Sequence, residues 1–124
     1  MRNTFLLAGI ISGAIAVMLG AFAAHGLKSV LSEENLRVFH TGVEYQFYHT
    51  FALLITGLLI EKTKTNLTAA AGYAFLGGII LFSGSLYLYA TVPTLHWTVY
   101  ITPLGGLSFI GGWLLLGVSF FRQA

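Results

Sequence analysis

An all-α bundle of four membrane-spanning helices is the fold class that this sequence predicts, and three observations lead to it. Of the 124 residues, 56% are hydrophobic and only 8% are charged, whereas an ordinary soluble domain has roughly 25% charged residues. The apolar residues gather in four stretches of about 20, the length of a helix that crosses a hydrocarbon layer roughly 30 Å thick. These stretches nearly exhaust the chain, which leaves room for a single transmembrane domain.

The four predicted spans cover about residues 4–24, 42–60, 67–90 and 102–121. In the fourth span, Thr102 can cap the helix and Pro103 suits its first position. The first span carries small residues at a spacing near four, which places them on one face and lets a neighbouring backbone approach. These residues are Gly9, Gly13, Ala16, Gly20 and Ala24.

An amphipathic segment between Lys28 and Val43 separates the first two spans. Ser32 is predicted to cap its helix, with two acidic residues in the first turn, where the helix dipole favours them. We expect this segment to lie at the membrane interface and to run into the second span, with Gly42 as the place where a bend could form. Lys28 and Arg37 are then expected to contact lipid headgroups.

The orientation in the membrane follows from the lysines and arginines that flank the spans, because the cytoplasmic side carries their excess. Four of them fall on one side, Arg2, Lys62, Lys64 and Arg122, and two on the other, Lys28 and Arg37. The count predicts that both termini of this multi-pass protein lie in the cytoplasm.

Polar side chains within the spans concentrate on the second helix, near the predicted outer face. A charged group in hydrocarbon costs at least about 2.5 kcal/mol, so Glu44 and His49 are expected to face the bundle or a wet cavity. Groups from the other helices lie at a similar depth and are expected to join them. The predicted cluster consists of His25, His40, Glu44, Tyr45, Gln46, His49, Ser83, Ser85 and Tyr87.

Two interpretations of this cluster compete. In the structural one, Glu44 binds His40 or tyrosine hydroxyls and His49 is a satisfied buried donor, so that the cluster fixes how the helices pack. In the functional one, Glu44 and His49 bind a ligand or relay protons. A metal site is a weaker alternative, because His40 and Glu44 share a helix face from which His49 is turned away.

Composition removes several classes of function. The chain has no cysteine, which excludes disulfides and thiolate metal sites. It also has no aspartate for a Ser-His-Asp arrangement and no basic stripe for nucleic acid. No glycine motif follows a strand, so no nucleotide cofactor is expected.

Three functional hypotheses remain. The preferred one is a non-enzymatic module whose outer-leaflet cluster binds a lipid, a small amphiphile or a partner protein, with membrane lipids and a homo-oligomer or partner membrane protein as expected contacts. The second is a small proton-coupled transporter with Glu44 as the titrating group. The third is a metal-binding protein or membrane enzyme that uses His25, His40, Glu44 and His49.

Four stretches resemble a known bacterial membrane family, domain of unknown function 423. They are LGAFAAHGLK (19–28), TGVEYQFYHT (41–50), LFSGSLYLYA (81–90) and TPLGGLSFIGGW (102–113). The resemblance touches every span and extends to an animal transmembrane protein of unknown function. It implies a small multi-helix inner-membrane protein and carries no established activity or catalytic residue.

Overall fold

The computed structural model describes residues 2–63 and 65–123, and the described chain is an all-helical bundle. Its helices are α1 (Arg2–His25), α2 (Glu33–Thr63), α3 (Asn66–Gly78), a five-residue π-helix (Ile79–Ser83), α4 (Gly84–Thr91) and α5 (Thr98–Gln123). The run from α3 through the π-helix to α4 is helical throughout, so the chain builds four long rods. This confirms the predicted fold class, a four-helix membrane bundle.

Three of the four rods are long and apolar enough to cross a membrane, namely Arg2–His25, Asn66–Thr91 and Thr98–Arg122. The rod outside that set, α2, carries five of the polar residues of the predicted cluster, namely His40, Glu44, Tyr45, Gln46 and His49. It nevertheless packs along α1 in antiparallel register, because Gly20 of α1 lies against Val43, Gly13 against Thr50 and Gly9 against Leu54. The predicted close-packing face of the first helix is confirmed from Gly9 to Gly20, whereas Ala24, at its end, is exposed. Helix α2 lies at the depth of α1.

One ion pair marks an end of the bundle. Arg2 Nε at the start of α1 lies 3.8 Å from Glu61 Oε1 near the end of α2, and both side chains are exposed. This end is called the Arg2 end below, and the opposite one, where α1 finishes, the His25 end. Lys64, one of the residues in the charge count, lies outside the described residues.

Helix α2 contains the second span and the part of the amphipathic segment that follows Ser32, whereas residues 28–32 lie in the turns before the helix. Its 31 residues are about 46 Å long, more than the roughly 30 Å of the hydrocarbon layer, so its first turns extend past that layer. The Asn35 amide donates to Ser32 Oγ at 3.1 Å, which confirms the predicted N-cap. The helix continues through Gly42, where the Tyr87 ring packs closely.

Helix α5 begins one turn before its predicted start at residue 102, so Pro103 lies inside the helix and not at its first position. The additional turn is held by hydroxyls that bond to preceding carbonyls. Thr98 Oγ1 donates to the Leu95 carbonyl at 2.8 Å and Thr102 Oγ1 to the Thr98 carbonyl at 3.2 Å. Thr102 therefore bonds back into the helix instead of capping it.

Two apolar cores fill the bundle. The one toward the Arg2 end includes Phe5, Leu53 and Phe75. The smaller one at the His25 end includes Phe39 and Val43. Buried polar side chains of α1, α2 and the π-helix lie between them, and this polar layer contains most of the residues that could carry chemistry.

Candidate functional site

The residues predicted to form one cluster are divided by the structure into an interior set and an exposed set. Gln46, His49, Ser83 and Ser85 are buried. His40 and Tyr87 are half-buried, whereas His25, Glu44 and Tyr45 are exposed. The division follows the two faces of α2, because residues 44 and 46 are about 200° apart around a helix.

Gln46 is the centre of the interior set and connects three rods. Its Nε2 donates to the Ser12 carbonyl of α1 at 2.9 Å and reaches Ser12 Oγ at 3.3 Å. Its Oε1 accepts a hydrogen bond from the Tyr87 hydroxyl of α4 at 2.6 Å. An amide that is 4% exposed thus has both of its ends bonded, which fixes the positions of α1 and α4 relative to α2.

Ser12 and Thr50 belong to this network but were not among the predicted residues. Thr50 Oγ1 donates to Ser12 Oγ at 2.8 Å, and both residues are buried. A signal was available for Ser12, because it lies three residues after Gly9 and four before Ala16, on the close-packing face of α1. Small polar residues on such a face are the ones that bond across membrane helices.

His49 has a partner for each of its ring nitrogens. Nδ1 lies 2.7 Å from the Tyr45 carbonyl, and the Trp113 indole Nε1 donates to Nε2 at 3.1 Å. Since Nε2 accepts, the proton of the neutral ring is on Nδ1 and is donated to the carbonyl. The ring also stacks on Phe109, with centroids 3.5 Å apart. His49 therefore joins α2 to α5, as the structural interpretation expects of a satisfied histidine.

Two serines of the predicted cluster also hold helices together. Ser83 Oγ donates to the Gly42 carbonyl of α2 at 2.7 Å. Ser85 Oγ bonds to Thr102 Oγ1 of α5. Both serines are buried, and each connects the rod that contains the π-helix to a neighbour.

Glu44 does not face the bundle, and the prediction that it does so is wrong. Its side chain is exposed, because the interior face of α2 is occupied by Gln46, Thr50 and Leu53. The register that pairs residue 20 with 43 and residue 13 with 50 places Glu44 level with Leu19. Glu44 is therefore about 7 Å inside the end of the apolar part of α1.

Two tyrosines flank Glu44 on the outside of α2. Tyr48 is one turn further along the same face and is 53% exposed, and Tyr45 is 38% exposed. Their rings make an edge-to-face pair with centroids 5.5 Å apart. Arg37, also exposed, lies two turns before Glu44 on this face. We call these four residues the Glu44 face.

The histidines and Glu44 are not brought together as a metal site. Among the residues described, no three His, Cys, Asp or Glu side chains lie close enough to hold one ion. His25 is exposed at the end of α1, and His49 is buried among aromatic rings. The alternative based on His25, His40, Glu44 and His49 has no support in this geometry.

The expected headgroup contacts, Lys28 and Arg37, are both exposed at the His25 end. Lys28 lies in the turns that connect α1 to α2, and Arg37 lies in the second turn of α2. Their positions place two cations where α2 extends beyond the apolar part of α1.

Comparison with known proteins identifies a family but no activity. The family model described as "Protein of unknown function (DUF423)" matches residues 19–106. The UPF0382 membrane protein YwdK of Bacillus subtilis is 40% identical over 118 residues, which cover 94% of this chain and 95% of that protein. No solved structure matches the chain.

Two further relatives are similar along nearly their whole length. A UPF0382 membrane protein of Haemophilus influenzae is 41% identical over 125 residues, covering 99% of this chain and 98% of the relative. The UPF0382 inner membrane protein YgdD of Escherichia coli K12 is 38% identical over 124 residues, which cover 98% of this chain and 93% of that protein. These names describe membrane proteins and state no reaction or ligand.

Proposed function

This chain belongs to the DUF423 family of membrane proteins, and we propose that it is a non-enzymatic module that binds an amphiphile with a positively charged ammonium headgroup on the Glu44 face. The proposal narrows the lipid or small amphiphile expected from the sequence to one chemical class. It also moves the binding site from the interior of the bundle to the outside of α2.

The exposure of Glu44 is the observation that carries this proposal. A carboxylate at membrane depth costs at least about 2.5 kcal/mol on insertion scales, and such groups are found paired or lining a cavity. The buried polar side chains of the described chain are hydrogen-bonded. Glu44 makes no ion pair or hydrogen bond within the described structure. A cationic ligand would supply the missing partner.

The surroundings of Glu44 match both the charged headgroup and the alkyl tail of an ammonium amphiphile. The Tyr45 and Tyr48 rings beside the carboxylate can attract a cation to their faces. Below them, the same side of α2 continues with Phe51, Ile55 and Leu58, which are 57%, 45% and 62% exposed. An alkyl tail that runs toward the Arg2 end can pack along this apolar stripe.

Lys28 and Arg37 have a separate role in this proposal. Exposed cations at the membrane surface bind the phosphates of surrounding lipids. Arg37 lies about 10 Å from Glu44 along the helix axis, so it anchors the first turns of α2 without occupying the ammonium site. The anchoring keeps Glu44 at its depth in the bilayer.

Binding of tetradecyltrimethylammonium to the protein in micelles of dodecyl maltoside, which carries no charge and no ammonium group, tests the proposal by calorimetric titration. We expect saturable binding to the parent and at least a tenfold weaker affinity in Glu44→Gln, because the attraction between opposite charges is lost. Glu33→Gln is the matched control, an exposed acid three turns earlier on the same face. Equal affinities for parent and Glu44→Gln, or equal binding of tetradecyl sulfate, would contradict the proposal.

Proton-coupled transport through Glu44 remains a hypothesis with less support. A transport path needs polar groups beyond Glu44, toward the Arg2 end. The buried hydroxyls described toward the Arg2 end bond to carbonyls of their own helix or to each other. The Thr56 hydroxyl donates to the Ala52 carbonyl, and the hydroxyls of Thr63 and Thr68 bond to each other. Accumulation of the same ammonium probe inside proteoliposomes, driven by an imposed pH gradient and lost in Glu44→Gln, would favour transport over binding.

We also propose that the Arg2 end is cytoplasmic, as the lysine and arginine count predicts. Because the chain has no cysteine, single cysteines can report the topology of the otherwise unchanged protein. Ser29→Cys lies in the exposed turn at the His25 end, and Asn66→Cys is exposed at the Arg2 end. In intact cells, we expect a membrane-impermeant maleimide to label position 29 and to leave position 66 unlabelled until the membrane is permeabilised. The opposite pattern would reverse the orientation.

A further inference from the structure

A groove opens on the side of the bundle between α1 and the rod that contains the π-helix. Its volume is about 230 Å³. The walls are apolar side chains of both rods, and the floor is formed by two polar residues of α1 and α2. Its lining is Ala8, Ile11, Ser12, Ile15, Gln46, Leu76 and Ile79.

The floor of this groove consists of Ser12 and Gln46, which are 8% and 4% exposed. Within the described chain, the Ser12 hydroxyl takes part in two side-chain hydrogen bonds and accepts both, from Gln46 Nε2 and from Thr50 Oγ1. Its own hydrogen is thus still available to donate. Gln46 Oε1 accepts from Tyr87 and, like any amide oxygen, has a second lone pair. The floor can therefore both donate and accept.

The wall opposite α1 contains a structural irregularity that supports a site here. Ile79, which lines the groove, is the first residue of the π-helix Ile79–Ser83. Single-turn π-helices inside α-helices occur frequently at functional sites. The groove thus combines an irregular helical wall with a polar floor near the middle of α1.

From these observations we infer that the groove binds an uncharged amphiphile through a single hydroxyl group. A hydroxyl donates and accepts, which matches the Ser12 hydrogen and the free lone pair of Gln46. The volume accommodates roughly eight groups of the size of a methylene or a water, and the open side lets a longer chain continue into the bilayer. An ionised headgroup is excluded, since the lining carries no charge to pair with it.

This site is independent of the proposed function. Gln46 and Glu44 lie on opposite faces of α2, and no residue of the Glu44 face lines the groove. The two ligands are also distinguished by charge. One site can therefore fail its test while the other passes.

Photolabelling with 3-azioctanol in nanodiscs tests the inference, with labelled residues mapped by mass spectrometry. We expect the label on Ile11, Ile15 and Leu76, with competition by 1-octanol and none by octane. Leu7 and Ile10 are the internal controls, because both are exposed outside the groove, at 58% and 59%.

Two variants keep this test decisive. Ser12→Ala removes the donor and is expected to reduce groove labelling at least fivefold. Ala8→Leu fills the groove without removing a hydrogen bond and is expected to have the same effect, which covers the case in which Ser12→Ala disturbs folding. Competition by octane, or labelling of Leu7 and Ile10 as strong as that of Ile11, would show that the groove holds bulk lipid and would overturn the inference.

Discussion

Replacing Gly105 with alanine is expected to lower the melting temperature of the reconstituted protein by about 10 °C or more, because the added methyl has no space. A Cβ at this position would overlap the backbone nitrogen of Phe82 and lie 2.7 Å from its Cα. These are backbone atoms of the π-helix, so no side-chain rotation can relieve the contact. Helix α5 must then move away from the π-helix, which separates the Phe82 ring from the Phe109 ring of α5, whose centroids lie 5.5 Å apart.

Gly111→Ala is the control for this prediction. It lies on the same helix, and a Cβ there would have no neighbouring atom within 4 Å. Alanine favours the helix by up to about 1 kcal/mol over glycine, so Gly111→Ala should melt at the parent temperature or slightly above it. Equal melting of the two variants would show that α5 does not press against the π-helix.

Gln46→Leu is expected to destabilise the bundle by about 2 kcal/mol, the second large effect. Three side-chain hydrogen bonds are lost together, to Ser12 and Tyr87, and each is worth roughly 0.6 kcal/mol between membrane helices. Leucine has a similar size, so little of the loss comes from packing. Thermal unfolding in one detergent measures the effect.

A graded series makes this prediction sharper. Tyr87→Phe removes one of the three hydrogen bonds and should lower the free energy of unfolding by about a third as much as Gln46→Leu does. Tyr89→Phe, on the same helix and without a hydrogen bond in the described structure, should melt like the parent. If Tyr87→Phe lowers the free energy of unfolding as much as Gln46→Leu does, the Gln46 amide does not connect the three rods as described.

Much of the fold could be predicted because it depends on local composition. The lengths of the apolar stretches predict the four rods, and the Ser32 hydroxyl predicts the start of α2. The spacing of Gly9, Gly13 and Gly20 predicts the contact face of α1. The π-helix could not be predicted in this way. Its Phe82 backbone packs against Gly105, a contact between residues that are distant in the sequence.

The candidate site was predicted less well, and Glu44 shows why. Helical spacing places Glu44 and Tyr48 on one face, but it does not say whether that face points inward. In water the apolar face of a helix turns to the core. In a membrane the lipid is as apolar as the core. The exposed Phe51 and the buried Leu53 are therefore indistinguishable by hydropathy.

Partners on distant helices were also beyond the reach of the sequence. The Trp113 indole donates to His49 from a position 64 residues away. Its ring packs as well, against Phe75 with centroids 4.9 Å apart. The hydrogen bond to His49 depends on how α5 lies beside α2, which the local sequence around Trp113 does not reveal.

The central claim is that the interior polar residues hold the helices together, whereas Glu44 is available for a ligand. Thermal unfolding in nanodiscs of the parent, Glu44→Gln and Gln46→Leu, with and without tetradecyltrimethylammonium, tests it most directly. We predict that Glu44→Gln melts like the parent and is not stabilised by the amphiphile, whereas Gln46→Leu melts lower and is still stabilised. A Glu44→Gln variant that melts well below the parent, or that is stabilised by the amphiphile as the parent is, would contradict the claim.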